Sequence, residues 1–171
     1  MSKLAFIFPG QGAQKAGMGK DFYDNSEAAR SFFDNAQKIL DFDLKEMCFG
    51  EHEELNLTEY TQPCMVSVCL AIVQELKKRG INPDITAGLS LGEYAAVAAA
   101  GGMNEMDAIK LVRRRGILMQ STVPAGEGAM AAVLGLDAKK IEEILESFEN
   151  VWIANYNCPG QIVITGLTNE V

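Results

Sequence analysis

A serine between two glycines, Gly88-Leu89-Ser90-Leu91-Gly92, is the pattern in this sequence best suited to covalent chemistry. A short strand-like stretch, Ile85-Thr86-Ala87, precedes it and an alanine-rich one, Glu93 to Ala100, follows. The order predicts strand, tight turn and helix. On such a turn a serine hydroxyl stands exposed above a helix N-terminus, and the glycines admit a bend that a Cβ would block. Free N–H groups and the positive end of the helix dipole then face any oxyanion that develops beside the serine. The chemistry predicted is acyl transfer with Ser90 as nucleophile. The same letters also describe a plain loop in which serine is a helix N-cap.

Two other places could serve that chemistry. Gly10-Gln11-Gly12-Ala13-Gln14-Lys15 follows the apolar run that ends at Phe8-Pro9, where phosphate-binding loops sit, but it matches neither G-x-G-x-x-G nor G-x-x-x-x-G-K-[ST]. Its glycines would instead let the backbone approach the Ser90 turn, pairing the Gln11 and Leu91 N–H groups as oxyanion donors. A simple strand-to-helix connection is the other reading. Arg113-Arg114-Arg115 is a charge run, which helical spacing of about 100° per residue separates. Arg115 falls with Ala108, Leu111, Val112, Leu118 and Met119, while Arg113 and Arg114 fall with the polar side chains. An arginine on an apolar face needs an anionic partner, either an internal carboxylate or an acidic substrate gripped by the guanidinium fork. His52, the only histidine, lies among Glu51, Glu53 and Glu54 and is expected at the surface. No histidine follows Ser90, so the base that serine needs is not evident.

The elements that must carry these residues alternate. Lys3 to Phe8 predicts a buried parallel strand. A helix is expected after Asn25 or Ser26, through Phe32, Phe33 and Ile39, followed by an irregular stretch from Asp41 to Asn56. A second helix is expected near Thr61-Gln62-Pro63, with proline in its first turn. The strand and helix around Ser90 come next, then a helix capped by Asn104 that runs to about Thr122 and ends before Pro124. Beyond that the texture becomes β-α-β-β: Ala129 to Leu134, a helix from Ala138 to Phe148 capped by Asp137, then Val151 to Tyr156 and Gln161 to Thr165 around the turn Asn157-Cys158-Pro159-Gly160. The fold class is α/β, with domains expected at 1–125 and 126–171.

Bulk properties narrow the function. The chain has 171 residues, 48% of them hydrophobic, which suits a sizeable core. A net charge of −8 argues against nucleic acid and anionic membranes as partners. Leu4 to Phe8 is too short for a signal peptide, and no stretch approaches a membrane span. Cys48, Cys64, Cys69 and Cys158 form no CxxC pair and predict reduced, mostly buried thiols in a cytoplasmic protein, with no metal site.

Four segments in order are similar to motifs of the malonyl-CoA:acyl-carrier-protein transacylases, the acyltransferases that load malonyl units for fatty acid synthesis. They are FPGQGAQ (Phe8 to Gln14), AGLSLGEYAA (Ala87 to Ala96), RRGILMQ (Arg114 to Gln120) and NYNCPGQIVITG (Asn155 to Gly166). The resemblance implies Ser90 as nucleophile, Gln11 and Leu91 as the oxyanion hole, and Arg115 as the grip on the malonyl carboxylate. It also implies an α/β-hydrolase-like core with a ferredoxin-like small domain, malonyl-CoA and acyl carrier protein as partners, and no cofactor beyond the phosphopantetheine carried by that partner. Many members have histidine where this chain has Leu89, a neighbour that is not the base. The family's catalytic histidine and a glutamine that positions it lie in its C-terminal part. The likeness covers a little over half of a typical member, which implies an N-terminal fragment. Two rival expectations stand beside it: a fragment that binds without catalysing, and a serine hydrolase that delivers the acyl group to water.

Overall fold

The structure, a computed structural model, describes residues 3–123 and 126–171. The chain divides into two compact units, Met1–Gln120 and Ser121–Val171. In the first, β1 (Ala5–Phe8) pairs in parallel with β2 (Ile85–Gly88), with Ala5 opposite Ile85 and Phe8 opposite Gly88. Parallel neighbours need a long crossover. Here it is almost wholly helical: α1 (Lys20–Asn25), α2 (Glu27–Gln37), α3 (Leu44–Phe49), a 3-10 turn (Glu53–Asn56) and α4 (Thr58–Lys78). After β2 come α5 (Gly92–Ala99) and α6 (Glu105–Thr122). The core gathers Phe33, Leu44, Val66, Leu70, Ala95, Ile109 and Val112 around α4.

Caps fix the helix starts. The Ser26 hydroxyl accepts from Ala29 N at 3.1 Å, settling a start expected after Asn25 or Ser26, and Asn104 Oδ1 accepts from Met106 N at 2.9 Å as the expected cap. Asp43 Oδ1 likewise accepts from Glu46 N at 2.9 Å and starts α3, so the stretch expected to be irregular between Asp41 and Asn56 is largely helical. Its polar residues hide a short apolar face of Leu44 and Cys48, both fully buried. Helix α1, among the glycines before Ser26, was not foreseen either. Helix α4 begins at Thr58, three residues earlier than expected, so Pro63 lies inside the helix.

That proline has a structural consequence. It has no N–H to give to the carbonyl of Glu59, four residues back. Arg113 Nη1 donates to that oxygen at 2.8 Å and to the Glu59 carboxylate at 3.2 Å. The other edge of the same guanidinium grips Asp41, with Nε to Oδ1 and Nη2 to Oδ2 both at 2.9 Å. The rings of Phe42 and Tyr60 pack against its carbon at 5.1 and 5.0 Å. Arg113 therefore does not lie on a solvated side with Arg114. It ties α6 to α4 and to the turn before α3.

In the second unit the strands β3 (Gly128–Leu134), β4 (Val151–Cys158) and β5 (Gln161–Leu167) form an antiparallel sheet in the order β3-β5-β4. Helix α7 (Ala138–Leu145), capped by Asp137, joins β3 to β4. Since β5 opposes both neighbours, β3 and β4 run the same way with β5 inserted between them, a split β-α-β arrangement. Ile141, Val151 and Ile162 are buried. Strand β4 continues to Cys158, so the hairpin turn is the shorter Pro159-Gly160. The expected helix end before Pro124 lies at the edge of the described residues, and Pro124 itself lies outside them. The whole is mixed α/β, with a parallel pair and an antiparallel sheet.

Arg113→Ala should cost about 2–3 kcal/mol in urea denaturation, since it strips charge-assisted bonds from a half-enclosed carbonyl and two carboxylates. Arg113→Lys should recover less than half of that, because an ammonium cannot span both sites. The Arg113 hydrogen bond holds Asp41 below the usual carboxylate pKa. That contribution is present at neutral pH and is lost as the pH falls through the lowered value. The gap between parent and Arg113→Ala should therefore narrow in acid; a gap independent of pH would refute the role of Asp41.

Candidate active site

Ser90 stands on the predicted turn between β2 and α5 with φ of 52°, and it is the one non-glycine residue with positive φ among the described residues. An L-residue in this region is strained by about 1–2 kcal/mol. Crowding on both sides holds it there. A Cβ on Gly88 would come within 2.1 Å of the Gly92 carbonyl, and one on Gly92 within 2.5 Å of Phe8 O and 2.6 Å of Pro9 O. Neither position can carry a side chain. Leu89 N donates to Phe8 O at 3.1 Å, Gly92 N to Leu89 O at 2.9 Å and Glu93 N to Ser90 O at 3.2 Å. The Leu91 N–H has no protein acceptor among the described residues, although its side chain is 1% exposed and locked in the core. Ser90 itself is exposed.

The loop after β1 reaches this turn. A Cβ built on Gly10 would lie 3.0 Å from Leu89 O, so the residues just before Gln11 and just before Ser90 touch. The approach expected from the glycines is present. The Gln11 N–H, like that of Leu91, has no protein acceptor among the described residues. Side-chain amides fasten the loop to the start of α4. Gln11 Nε2 donates to Thr58 Oγ1 at 3.1 Å, while Gln14 accepts from Gly12 N at 2.7 Å and donates to Asn56 Oδ1 at 3.1 Å.

Arg115 arrives from α6. Its Nη2 donates to Ser90 Oγ at 3.1 Å and its Nη1 to Gln62 Oε1 at 2.6 Å, and its guanidinium lies over the Tyr94 ring at 5.9 Å. No carboxylate pairs with it among the described residues. The surrounding residues explain its placement. A Cβ on Gly116 would come within 2.8 Å of Glu59 Cα and Thr58 O, so glycine brings α6 against the start of α4. Gln120 Oε1 then accepts from Thr58 N at 3.1 Å, satisfying an N–H that a helix start leaves open. Met119 Sδ accepts from Gln62 Nε2 at 3.3 Å. The helical spacing that set Arg115 on an apolar stripe holds only in part. Leu111, Leu118 and Met119 are 47%, 51% and 46% exposed, and the buried face is Ala108, Ile109, Val112 and Gly116. Arg113 and Arg115 border that face on opposite sides.

Gln62, Thr58 and Gln120 were missed by sequence reasoning. The one available signal was Gln62, an amide at the head of the apolar run Pro63-Cys64-Met65-Val66; it is fully buried. His52 pairs with Glu46 at 3.0 Å and does not touch Ser90. The cysteines are free: Cys48 and Cys64 buried, Cys69 half-buried, Cys158 exposed. The neighbouring Cys48 and burial push the Cys64 thiol well up, and burial raises Cys69 to about 11, so neither supplies a thiolate nucleophile. Among the described residues no cluster of His, Cys, Asp and Glu could hold a metal, and no helix is long and apolar enough to cross a membrane.

The backbone strain at Ser90 sets a stability comparison. Ser90→Gly should be more stable than Ser90→Ala by about 1 kcal/mol in thermal unfolding, because both lose the hydroxyl but only glycine relieves the positive φ. An alanine variant as stable as the glycine one would argue against a strained turn.

Comparison with known proteins gives the family. The sequence model of the family described as acyl transferase domain matches residues 5–171. The malonyl CoA-acyl carrier protein transacylase of Bacillus subtilis (strain 168) is 48% identical over 176 residues, spanning 100% of this chain and 56% of that protein. The solved malonyl CoA-acyl carrier protein transacylase from Clostridium perfringens is 46% identical with a TM-score of 0.88, covering 98% of this chain and 54% of that one. A malonyl-transacylase solved in complex with its type II PKS acyl-carrier protein is 39% identical with a TM-score of 0.89, covering 98% and 56%. The chain thus spans about half the length of these relatives. Because the family match extends over residues 5–171, the chain belongs to the acyl transferase domain family.

Proposed function

We propose that this chain carries the acyl-enzyme site of a malonyl transfer from malonyl-CoA to the phosphopantetheine thiol of an acyl carrier protein, as in fatty acid synthesis. The observation that carries the proposal is Arg115, a guanidinium 3.1 Å from Ser90 Oγ with no carboxylate partner among the described residues. A cation so placed lacks the anion that an acyl group bearing a carboxylate would bring. The names of the relatives support the same substrate and partner.

In this reading Ser90 Oγ attacks the thioester carbonyl, and the Gln11 and Leu91 N–H groups receive the oxyanion. The C–S bond breaks, coenzyme A leaves as the thiol, and malonyl-Ser90 remains with its carboxylate on Arg115. The carrier thiol then attacks the ester, and Ser90 recovers its proton. No imidazole or carboxylate bonds Ser90 Oγ among the described residues. The resemblance assigns that base to a histidine beyond the four matched segments. No metal or cofactor takes part in these steps. We place the protein in the cytoplasm, as its free cysteines favour. We assign residues 1–125 to an α/β-hydrolase-like core and 126–171 to part of a ferredoxin-like domain, a reading favoured by the split β-α-β arrangement.

Intact-protein mass spectrometry tests the proposal. Malonyl-CoA should add one malonyl group to this chain and none to Ser90→Ala; an unshifted parent mass would favour a fragment that binds without catalysing. Arg115→Ala should lose malonyl labelling by about ten- to a hundredfold relative to acetyl labelling, the worth of a charge-assisted bond. Equal loss of both would remove Arg115 from substrate recognition. Faster release of the acyl group to water than to carrier protein would favour a hydrolase.

A further inference from the structure

We infer that Gln14, anchored by Asn56, is a positioning residue for the oxyanion donor at Gln11, because its side chain straps down the loop that carries the Gln11 N–H. The inference rests on the reading that this N–H receives the oxyanion.

The direction of the Gln11 N–H depends on how the backbone is held on either side of it. Upstream, packing holds it, since a Cβ on Gly10 would lie 3.0 Å from Leu89 O. Downstream, packing is weak. Gln11, Gly12 and Ala13 are exposed, and a Cβ on Gly12 would meet no atom within 4 Å. Gly12 has a φ of 109°, and a glycine leaves one conformation for another at little cost. A cavity of about 450 Å³, lined in part by Gln14, Lys15, His52 and Asn56, gives the loop room to move. The Gln14 carboxamide opposes that movement. Its Oε1 accepts from Gly12 N at 2.7 Å, and its Nε2 donates to Asn56 Oδ1 at 3.1 Å. Only one orientation serves, because a reversed amide would set N–H against N–H at Gly12. Asn56 is a firm anchor. It follows Leu55, which is buried in the core and whose carbonyl accepts from Thr61 Oγ1 at 2.6 Å. The Gln11 side chain bonds Thr58, but its own rotatable bonds leave the backbone free to turn. The strap therefore acts on the developing oxyanion, which every acyl group shares, and not on the acyl carboxylate.

Three variants test the strap. Gln14→Met removes both bonds, Asn56→Ala removes the anchor, and Asn56→Asp keeps an acceptor for Gln14. Intact mass followed over time, at several concentrations of malonyl-CoA and of acetyl-CoA, gives the maximal labelling rate and the half-saturating concentration. Losing an oxyanion donor outright costs about 10²–10³ in rate, so turning one away should cost about tenfold or more. Gln14→Met and Asn56→Ala should lower the maximal rate by that factor for both acyl groups, with the half-saturating concentration within about twofold of the parent. Asn56→Asp should restore the rate. Unchanged rates, a loss confined to one acyl group or to the half-saturating concentration, or equal rates for Asn56→Asp and Asn56→Ala would overturn the proposal. A second measurement stands apart from acylation: the backbone N–H resonances of Gln11 and Gly12 in 15N NMR spectra. The Gly12 N–H should exchange slowly in the parent and in Asn56→Asp and rapidly in Gln14→Met, where the Gln11 resonance should also shift. A parent that takes no label bears on the proposed function and not on the strap. The resonances then decide the inference alone, and a Gln11 resonance unmoved by Gln14→Met would overturn it.

Discussion

The backbone between Phe8 and Glu93 is packed so closely that two positions have no room for a Cβ, and the site follows from that constraint. Gly92 presses on the carbonyls of Phe8 and Pro9, and Gly88 presses on Gly92. The end of β1, the end of β2 and the start of α5 therefore meet at one point. Ser90 can complete the turn only by adopting a positive φ. The strain has a chemical result. It turns the hydroxyl outward and leaves the next N–H, that of Leu91, without a protein acceptor among the described residues. The same contact draws the Gly10 loop, and with it the Gln11 N–H, against the turn. On the proposed function, these two N–H groups are donors held in place before a substrate arrives, which need no reorganisation when charge develops.

A second constraint sets where the arginine stands. Helices α4 and α6 touch through Gly116, which admits the backbone of Thr58 and Glu59. Around that contact each helix repairs a defect in the other. Pro63 leaves the Glu59 carbonyl without its helical donor, and Arg113 supplies one. The start of α4 leaves the Thr58 N–H without an acceptor, and Gln120 supplies one. These bonds lie on either side of Arg115 in sequence and fix the rotation of α6 about its axis. Arg113 is then the structural arginine and Arg115 the one turned to the serine. The two differ less in burial than in what meets them: carboxylates and a carbonyl for one, a neutral amide and a hydroxyl for the other.

How much of this was legible in the sequence depends on the range of the interaction. The elbow was legible because its requirements are local: two glycines, a serine, and a strand and helix on either side. The caps at Asn104 and Asp137 were legible for the same reason. The start of α4 was misplaced because proline favours a first turn, and only the distant Arg113 makes an interior proline tolerable. The α3 region was read as irregular because its buried face is small and set among charges. The rotation of α6 was half right: Arg115 borders the buried face, but the exposed leucines nearby carry the same hydrophobic signature as buried ones. Gln62 was not legible as a site residue, since its meaning comes from side chains on another helix, 53 and 57 positions away.

The neutrality of Gln62 is the final physical point. A carboxylate in its place would hold Arg115 more strongly, and the Asp41 grip on Arg113 shows that this fold can build such a pair. At Arg115 a pair of that kind would satisfy the charge internally, and an incoming anion would have to displace it. An amide oxygen gives direction without cancelling charge. The guanidinium keeps its attraction for an anion while losing its freedom to turn, so little ordering remains to be done when a substrate binds. On the proposed function, this is also how a chain with a net charge of −8 would attract an anionic acyl group. Screening weakens charges more than about 10 Å away, whereas one cation beside Ser90 acts at contact distance.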